Sequence, residues 1–455
     1  MAGYRDNDCG NWDEDRPPGN ILASITGNMS IAFLCPPVQG HLNPMTTLAR
    51  ELQSRNHHVV FISLLDTEPF VRAAGLTFVP CCETEFPAGS LSERLRQLGK
   101  LTGEECVRLT VKGIAARTEA MLNSLPATFA SAGVDAVVLD SYEIFREVIP
   151  MSLDMPYVHV SNALHFDYSG YTPMCVYDWR HETTPEALAR NRKGVANFVQ
   201  MFTQANTGVR AHAERIGLKV DWQNPSTTIS KLAWLTQTPK EFDFESSHWP
   251  PQFYHTGPFH DGAGRIDTDF PWEQLTGEPL IYASLGTGMI GLPDVFRTIG
   301  AAVAMQKDVQ LVLSIGNILD PEQIDLFPRN AIIVRRAPQL ELLKRASVCI
   351  THAGLNTTLE ALAQGVPQVA IPLTHDQPGV AARIAAKKTG VVVPLKGLTA
   401  SRLSTLIDEV LKNPIYRDNA RYFQRIIAER NGLSMAADIL ELAFGLTKKT
   451  GESKK

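Results

Sequence analysis

The stretch RRAPQLELLKRASVCITHAGLNTTLEALAQGVPQVAIPLTHDQPGVAAR, residues 335–383, decides the reading of the chain. Its centre, 347–351, is a short apolar run of the kind found in strands covered on both faces. His352, Ala353 and Gly354 then make a tight turn, and Asn356 is expected to cap a helix that Gly365 stops. A small-residue turn feeding a helix N-terminus offers free backbone N–H groups and the positive end of the helix dipole, which suits phosphate. His352 at the lip adds a donor, and Glu360, one turn inside, is placed to accept hydrogen bonds from hydroxyls such as those of a ribose. Beyond a second strand at 368–372, Asp376 and Gln377 set an acceptor beside a mixed donor and acceptor, a pair that suits a polyhydroxylated ligand. Phosphate, ribose and sugar recognition are thus expected in one segment.

Working outward, the N-terminal half opens with an apolar strand at 30–35, followed by PPVQGHLNPM. Asn43 is expected to cap the next helix with Pro44 at its first position, and Met45, Leu48, Ala49 and Leu52 recur at helical spacing. A strand at 57–63 completes the first βαβ unit of a doubly wound sheet, where ligands collect at the carboxyl ends of strands. His41 lies at that end. Further strands are expected at 76–79, 136–139 and 156–161, the second running into Asp140 at its carboxyl end. The loop after 161 carries Phe166, Tyr168 and Tyr171. With Phe145 and Phe86 they are expected to rim a cleft that favours a flat, apolar ligand over a sugar or peptide. The segment 184–216 is helical in pattern.

A strand at 232–236 ends the first half, and a stretch dense in Pro, Gly and aromatics follows as a boundary. Within it Asp267-Thr268-Asp269 has the form of a metal-binding triplet but sits in a linker, so no metal is assigned to it. The strand at 280–285 runs into GTGMIG, where Gly286, Gly288 and Gly291 satisfy the dinucleotide pattern G-x-G-x-x-G. The next strand, 309–315, leads into Gly316-Asn317 and lacks the acidic ribose ligand of nicotinamide enzymes, which disfavours a dehydrogenase. The better reading is a phosphate-approaching loop with Thr287 as hydroxyl donor. Strands at 331–334 and 390–393 and helices at 400–411, 416–429 and 435–444 complete the second half.

At 455 residues the chain is long enough for two cores. A net charge of −5 argues against nucleic acid or an anionic membrane as the main partner. The seven cysteines include no CxxC pair, as expected of reduced thiols in a cytoplasmic protein. No apolar run reaches the length of a membrane span. Residues 1–28 read as an acidic disordered tail, with Met29 a credible alternative start, and 448–455 as a frayed Lys-rich end.

The 335–383 stretch resembles the signature of the family 1 glycosyltransferases, the UDP-sugar transferases of GT-B fold. The likeness rests on Pro338, Gln339, Thr351, His352, Gly354, Asn356, Thr357, Glu360, Gly365, Val366, Pro367, Pro372, Asp376 and Gln377. Two positions depart: the family's base-stacking tryptophan is Arg336 here, and a family histidine is Arg345. A guanidinium also stacks on a base face, so nucleotide binding survives while uracil against thymine stays open. The PxxGHxxPxxxLA setting of His41 resembles the family's catalytic-base motif, and VVLDSY resembles the strand end whose aspartate orients that base.

The resemblance implies an α/β GT-B architecture of two Rossmann-like doubly wound domains facing across a cleft. The expected units are 29–255 for the acceptor and 256–430 for the nucleotide sugar, with a C-terminal helix in 431–447 packing back on the first. It implies donor contacts at Gly286, Thr287, Arg336, Ala337, Gln339, His352, Gly354, Asn356, Thr357, Glu360, Asp376 and Gln377. The implied reaction inverts the anomeric carbon: His41, assisted by Asp140, deprotonates an acceptor hydroxyl that attacks the hexose of UDP-glucose, with no cofactor and no metal required. The aromatic residues then hold a hydrophobic acceptor such as a carotenoid, polyphenol or macrolide. Segments 376–384 and 351–357 look most like bacterial zeaxanthin glucosyltransferases, with macrolide transferases close behind. A monomer or weak dimer is expected, with peripheral membrane contact if the acceptor is lipophilic. A GT-B UDP-sugar epimerase and a non-catalytic nucleotide-sugar-binding protein are the competing readings.

Overall fold

A computed structural model describes residues 29–265, 268–286, 292–316 and 328–446. Asp267, Thr287, Gly288, Gly291, Asn317 and the end segments 1–28 and 448–455 lie outside the described residues. The strands are β1 (Ser30–Leu34), β2 (His58–Ser63), β3 (Thr77–Pro80), β4 (Ala136–Asp140), β5 (Tyr157–Ser161), β6 (Trp234–Thr236) and β7 (Phe253–His255), then β8 (Leu280–Ser284), β9 (Gln310–Ser314), β10 (Ile332–Val334), β11 (Ala346–Thr351), β12 (Gln368–Ala370) and β13 (Gly390–Val392). They form two parallel sheets, ordered β3-β2-β1-β4-β5-β6-β7 and β10-β9-β8-β11-β12-β13. Each sheet is covered on both faces, which is why β1, β4 and β8 are buried at every residue.

Both sheets reverse direction of growth once, between β1 and β4 in the first and between β8 and β11 in the second. At such a switch the loops leaving two neighbouring strands diverge, and a ligand crevice opens at their carboxyl ends. The register Leu34↔Leu139 puts the first turn of helix Gln39–Ser54, which bears His41, and Asp140 at one edge. Thr351↔Ser284 does the same for the turns at Gly286 and His352.

Two local expectations are corrected and a third is refined. The first helix is Gln39–Ser54, so Pro44 lies inside it and Asn43 is no cap. The helix at 351–364 begins at Leu355 with Gly354 as its N-cap, leaving the Asn356 side chain free for other work. The segment 184–216, expected to be helical, is two helices, Pro185–Ala205 and Thr207–Arg215, parted where buried Asn206 turns its amide back onto the Phe202 carbonyl (2.9 Å). The helix Gly103–Ala132 is not among the expected elements, although Val107, Val111, Ile114, Met121, Leu125 and Phe129 recur at helical spacing and are all buried.

The chain crosses between the sheets twice. After β7 it passes through Thr256 and Gly257 to the second sheet. It returns after helix Pro414–Arg430 as helix Gly432–Ala443, whose Ala436, Ala437 and Leu440 join the core with Leu42, Met45 and Leu48. The crossings touch: a Cβ on Gly432 would come within 2.6 Å of the Thr256 carbonyl oxygen.

Candidate active site

The first turn of helix Gln39–Ser54 and the end of β4 bring His41 Nδ1 to 2.7 Å from Asp140 Oδ2. A carboxylate only accepts, so Nδ1 carries the proton and Nε2 is the free lone pair. Asp140 is 1% exposed and fully engaged: Asn162 Nδ2 donates to Oδ2 (2.7 Å) and the Tyr142 amide to Oδ1 (2.9 Å). Burial opposes a charge on His41, yet the Asp140 charge and hydrogen bond outweigh it and raise the imidazole pKa above its ordinary value. The imidazole is thus held in one tautomer and one orientation, the geometry a general base needs.

In the second sheet β11 leads into a left-handed turn at Ala353 (φ 65°), a strained conformation for a side-chain-bearing residue, fixed by burial and by its amide donating to Thr351 Oγ1 (3.2 Å). The turn aims the N-terminus of helix Leu355–Ala363 at the crevice. His352 lies over two glycines: a Cβ on Gly354 or Gly286 would meet its Nε2 at 2.5 or 2.8 Å. Burial holds its pKa down to about 4, so it is a neutral donor, and its Nδ1 has no hydrogen-bond partner. Glu360 is buried and engaged by Arg265 and by Gln339 Nε2 (2.5 Å). Gln339 also accepts from Tyr282 (2.9 Å) and donates to Thr357 (3.3 Å). Ala337 is half-buried against the small cluster beneath, and Arg336 is exposed at the rim.

The two halves meet directly. Asp376 Oδ2 accepts from the Leu164 amide (3.0 Å), and burial pushes its pKa up against the pull of that bond and of His41. Gln377 Oε1 holds the amides of Leu373 and Thr374 (2.9 Å each), ordering its own loop. The Asn356 amide nitrogen donates to the Gly40 carbonyl (2.7 Å), one residue before His41. Pro44 has no N–H to offer that carbonyl, so the break in the helix ladder is filled from the opposite half.

Of the aromatic residues expected at a rim, Phe145 is fully buried, with φ 69° turning it inward onto Trp222 (4.8 Å). Tyr171 stacks on His248 (4.4 Å). Phe86 and Tyr168 are half-buried against the core. Phe166 is buried yet useful: His41, Tyr142, Phe166 and Phe198 form a continuous ring series with centroids 5.4, 4.7 and 5.0 Å apart. That series ends at a cavity of about 1320 Å³ between the halves, walled by Val107, Tyr177, Phe198, Met201, Phe244 and His375. Phe198 and Met201, three apart on helix Pro185–Ala205, are the sequence signal for it.

Two parallel sheets, one presenting an oriented imidazole and the other a helix N-terminus, form the GT-B architecture. A solved glycotransferase of kitacinnamycin superposes with a TM-score of 0.70 (22% identity, 91% of this chain and 98% of that one), and the calicheamicin glycosyltransferase CalG4 with 0.68 (21% identity, 92% and 99%). The chain belongs to the UDP-glucoronosyl and UDP-glucosyl transferase family, whose model matches residues 167–432. It is 27% identical to zeaxanthin glucosyltransferase of Pantoea ananas over 90% of this chain and 95% of that protein. It is 24% identical to the NDP-glycosyltransferase YjiC of Bacillus licheniformis (91% and 98%). Among the described residues no helix is long and apolar enough to cross a membrane.

Proposed function

We propose that the chain is an inverting transferase that moves glucose from UDP-glucose to a hydroxyl of an apolar small molecule. His41 Nε2 takes the acceptor proton while the acceptor oxygen forms its bond to the anomeric carbon. The bond from that carbon to the diphosphate breaks, and its electron pair leaves on UDP. Asp140 stabilises the imidazolium so formed. The diphosphate is assigned to the His352 turn and the N-terminus at Leu355, with backbone N–H groups and a neutral imidazole N–H meeting the developing charge. The hexose hydroxyls are assigned to Asp376 and Gln377, and the nucleotide to the Arg336 and Gln339 side.

The observation that carries this reading is the 2.7 Å contact between Asn356 and Gly40, which sets the donor turn beside the helix turn that bears His41. An apolar acceptor is supported by the ring series from His41 to the large cavity, and by the carotenoid in the name of a relative that aligns over most of both chains. We assign the acceptor body to that cavity and a cytoplasmic location to the protein. The test is UDP release from UDP-glucose, dTDP-glucose and UDP-galactose against a panel of hydroxylated polyenes, phenols and macrolides. Release with wild type and none with His41→Ala, which still binds UDP in calorimetry, is the expected result. UDP binding with no release across the panel overturns it in favour of a non-catalytic binding protein.

A further inference from the structure

Beyond the base and the donor turn lies a closed ring of side-chain amides that the reaction does not itself require. Asn162 Nδ2 donates to Asp140 Oδ2 (2.7 Å), and Asn162 Oδ1 accepts from Gln237 Nε2 (3.2 Å). The same Gln237 nitrogen donates to Asn356 Oδ1 (3.2 Å). Asn356 Nδ2 then reaches the Gly40 carbonyl (2.7 Å) and the Asn162 carbonyl (3.2 Å). Since Gly40 adjoins His41, whose ring rests on Asp140, the circuit is complete.

The amide orientations in this ring are forced rather than chosen. Asn162 faces a carboxylate and must present nitrogen to it, which turns its oxygen toward Gln237. Asn356 faces two carbonyls and must present nitrogen, which also turns its oxygen toward Gln237. Gln237 Oε1 accepts from the Phe259 amide (2.9 Å), so its nitrogen points back and its two hydrogens meet the two waiting oxygens. Gln237 and Asn162 are 1% and 0% exposed, so no water competes for these bonds. Gln237 therefore touches three bodies at once: the first half through Asn162, the inter-sheet connection through Phe259 and the second half through Asn356.

We propose that Gln237 is a positioning residue that couples the seating of the donor helix to the orientation of the His41–Asp140 base, acting through Asn162 and Asn356. The proposal rests on the reading of His41 as the base. It assigns Asn356 a docking role across the cleft in place of a contact to the donor.

The experiment compares Gln237→Leu, Asn356→Ala and the double variant with wild type in UDP release, with UDP affinity by calorimetry and folding by thermal melt. Each single variant is expected to lower kcat about tenfold, the loss of a buried hydrogen-bonded contact, with UDP Kd unchanged within about twofold. The double variant is expected to be no worse than either single one, because both open the same ring. Asn356 is half-exposed, so its variant carries the test should Gln237→Leu fold poorly. Unchanged kcat in Asn356→Ala, a tenfold loss of UDP affinity in it, or additive losses in the double variant would overturn the proposal. Full turnover by His41→Ala would instead sink the reading on which it rests.

Discussion

Asn356 Nδ2 sits 2.7 Å from the Gly40 carbonyl, the acceptor that Pro44, four residues on, cannot use. A helix-interior proline normally costs stability because that carbonyl is left over. Here the leftover group docks the two halves beside His41. Pro44→Ala restores a competing N–H within the helix. We expect the melting temperature to rise, with a gain of about 1–3 kcal/mol for relief of the interior proline, while kcat falls severalfold. Thermal melts and UDP release on one preparation check both arms, and a variant gaining stability at full turnover contradicts the docking role.

The raised pKa of His41 fixes the sign of the pH dependence. The ring must be neutral to take a proton, so kcat falls on the acid side with an apparent pKa above the ordinary imidazole value of 6.5. The pair's contribution to folding runs the other way: it is fully present below the unfolded-state pKa and is lost as pH rises through the folded value. In Asp140→Asn the charge is gone, so the acid limb moves to lower pH while the rate drops by about 100-fold or more. A pH–kcat profile of both proteins is the measurement.

Gly354→Ala tests the donor turn. The backbone there is ordinary, so the fold tolerates a methyl, but its Cβ would lie 2.5 Å from His352 Nε2 and push the ring aside. UDP affinity is expected to weaken about tenfold with little change in melting temperature, read by calorimetry and thermal melt.

Arg383 is 2% exposed and binds Asp243 Oδ1 through both Nε (2.9 Å) and Nη2 (2.8 Å). Burial alone would raise the Asp243 pKa, but the charges of His165 and Arg383 drive it far below the usual carboxylate range. Arg383→Met leaves that carboxylate without its guanidinium and is expected to cost about 3–5 kcal/mol. Because the Asp243 pKa is depressed, its contribution to stability is present above the ordinary value of 3.8 and fades as pH falls through the folded one. Urea unfolding at pH 7 and at about pH 2.5, below the ordinary carboxylate value, checks the size and the direction.

Met201→Trp narrows the cavity at its wall without touching His41 or the donor turn. Turnover of long apolar acceptors is expected to fall about tenfold, with small phenols unaffected. An equal loss for both classes would place the acceptor body elsewhere.

Both doubly wound halves were legible because apolar strand runs and turn residues repeat along the chain, and because the 351–377 spacing is specific. The position of Asp140 at a strand end followed from the same pattern, whereas His41, expected between strand and helix, lies in the first turn of helix Gln39–Ser54. What stayed hidden depends on partners distant in sequence. Pro44 reads as a helix start because nothing local announces that Asn356 will satisfy Gly40. Phe145 and Tyr168 are both aromatic residues in loops, and only the backbone turn at Phe145 sends one inward. Gln237 is a lone amide between two threonines, meaningful only once β6 ends beside Asn162. The pairing of Glu360 with Arg265, a residue from the linker 95 positions earlier, likewise has no local signal.

The contact of Gly432 with Thr256 and Gly257 has a mechanical consequence. Two domains joined by one strand of chain are tethered and free to tumble. Two domains joined by adjacent crossings are pinned like a door on its hinge edge. Such a joint resists sliding along that edge more than a swing about it. A swing about that edge would carry Asn356 away from Gly40 and back along one arc. A side chain on Gly432 would strike the hinge itself, far from any substrate, and would be felt as a change in how often the door shuts.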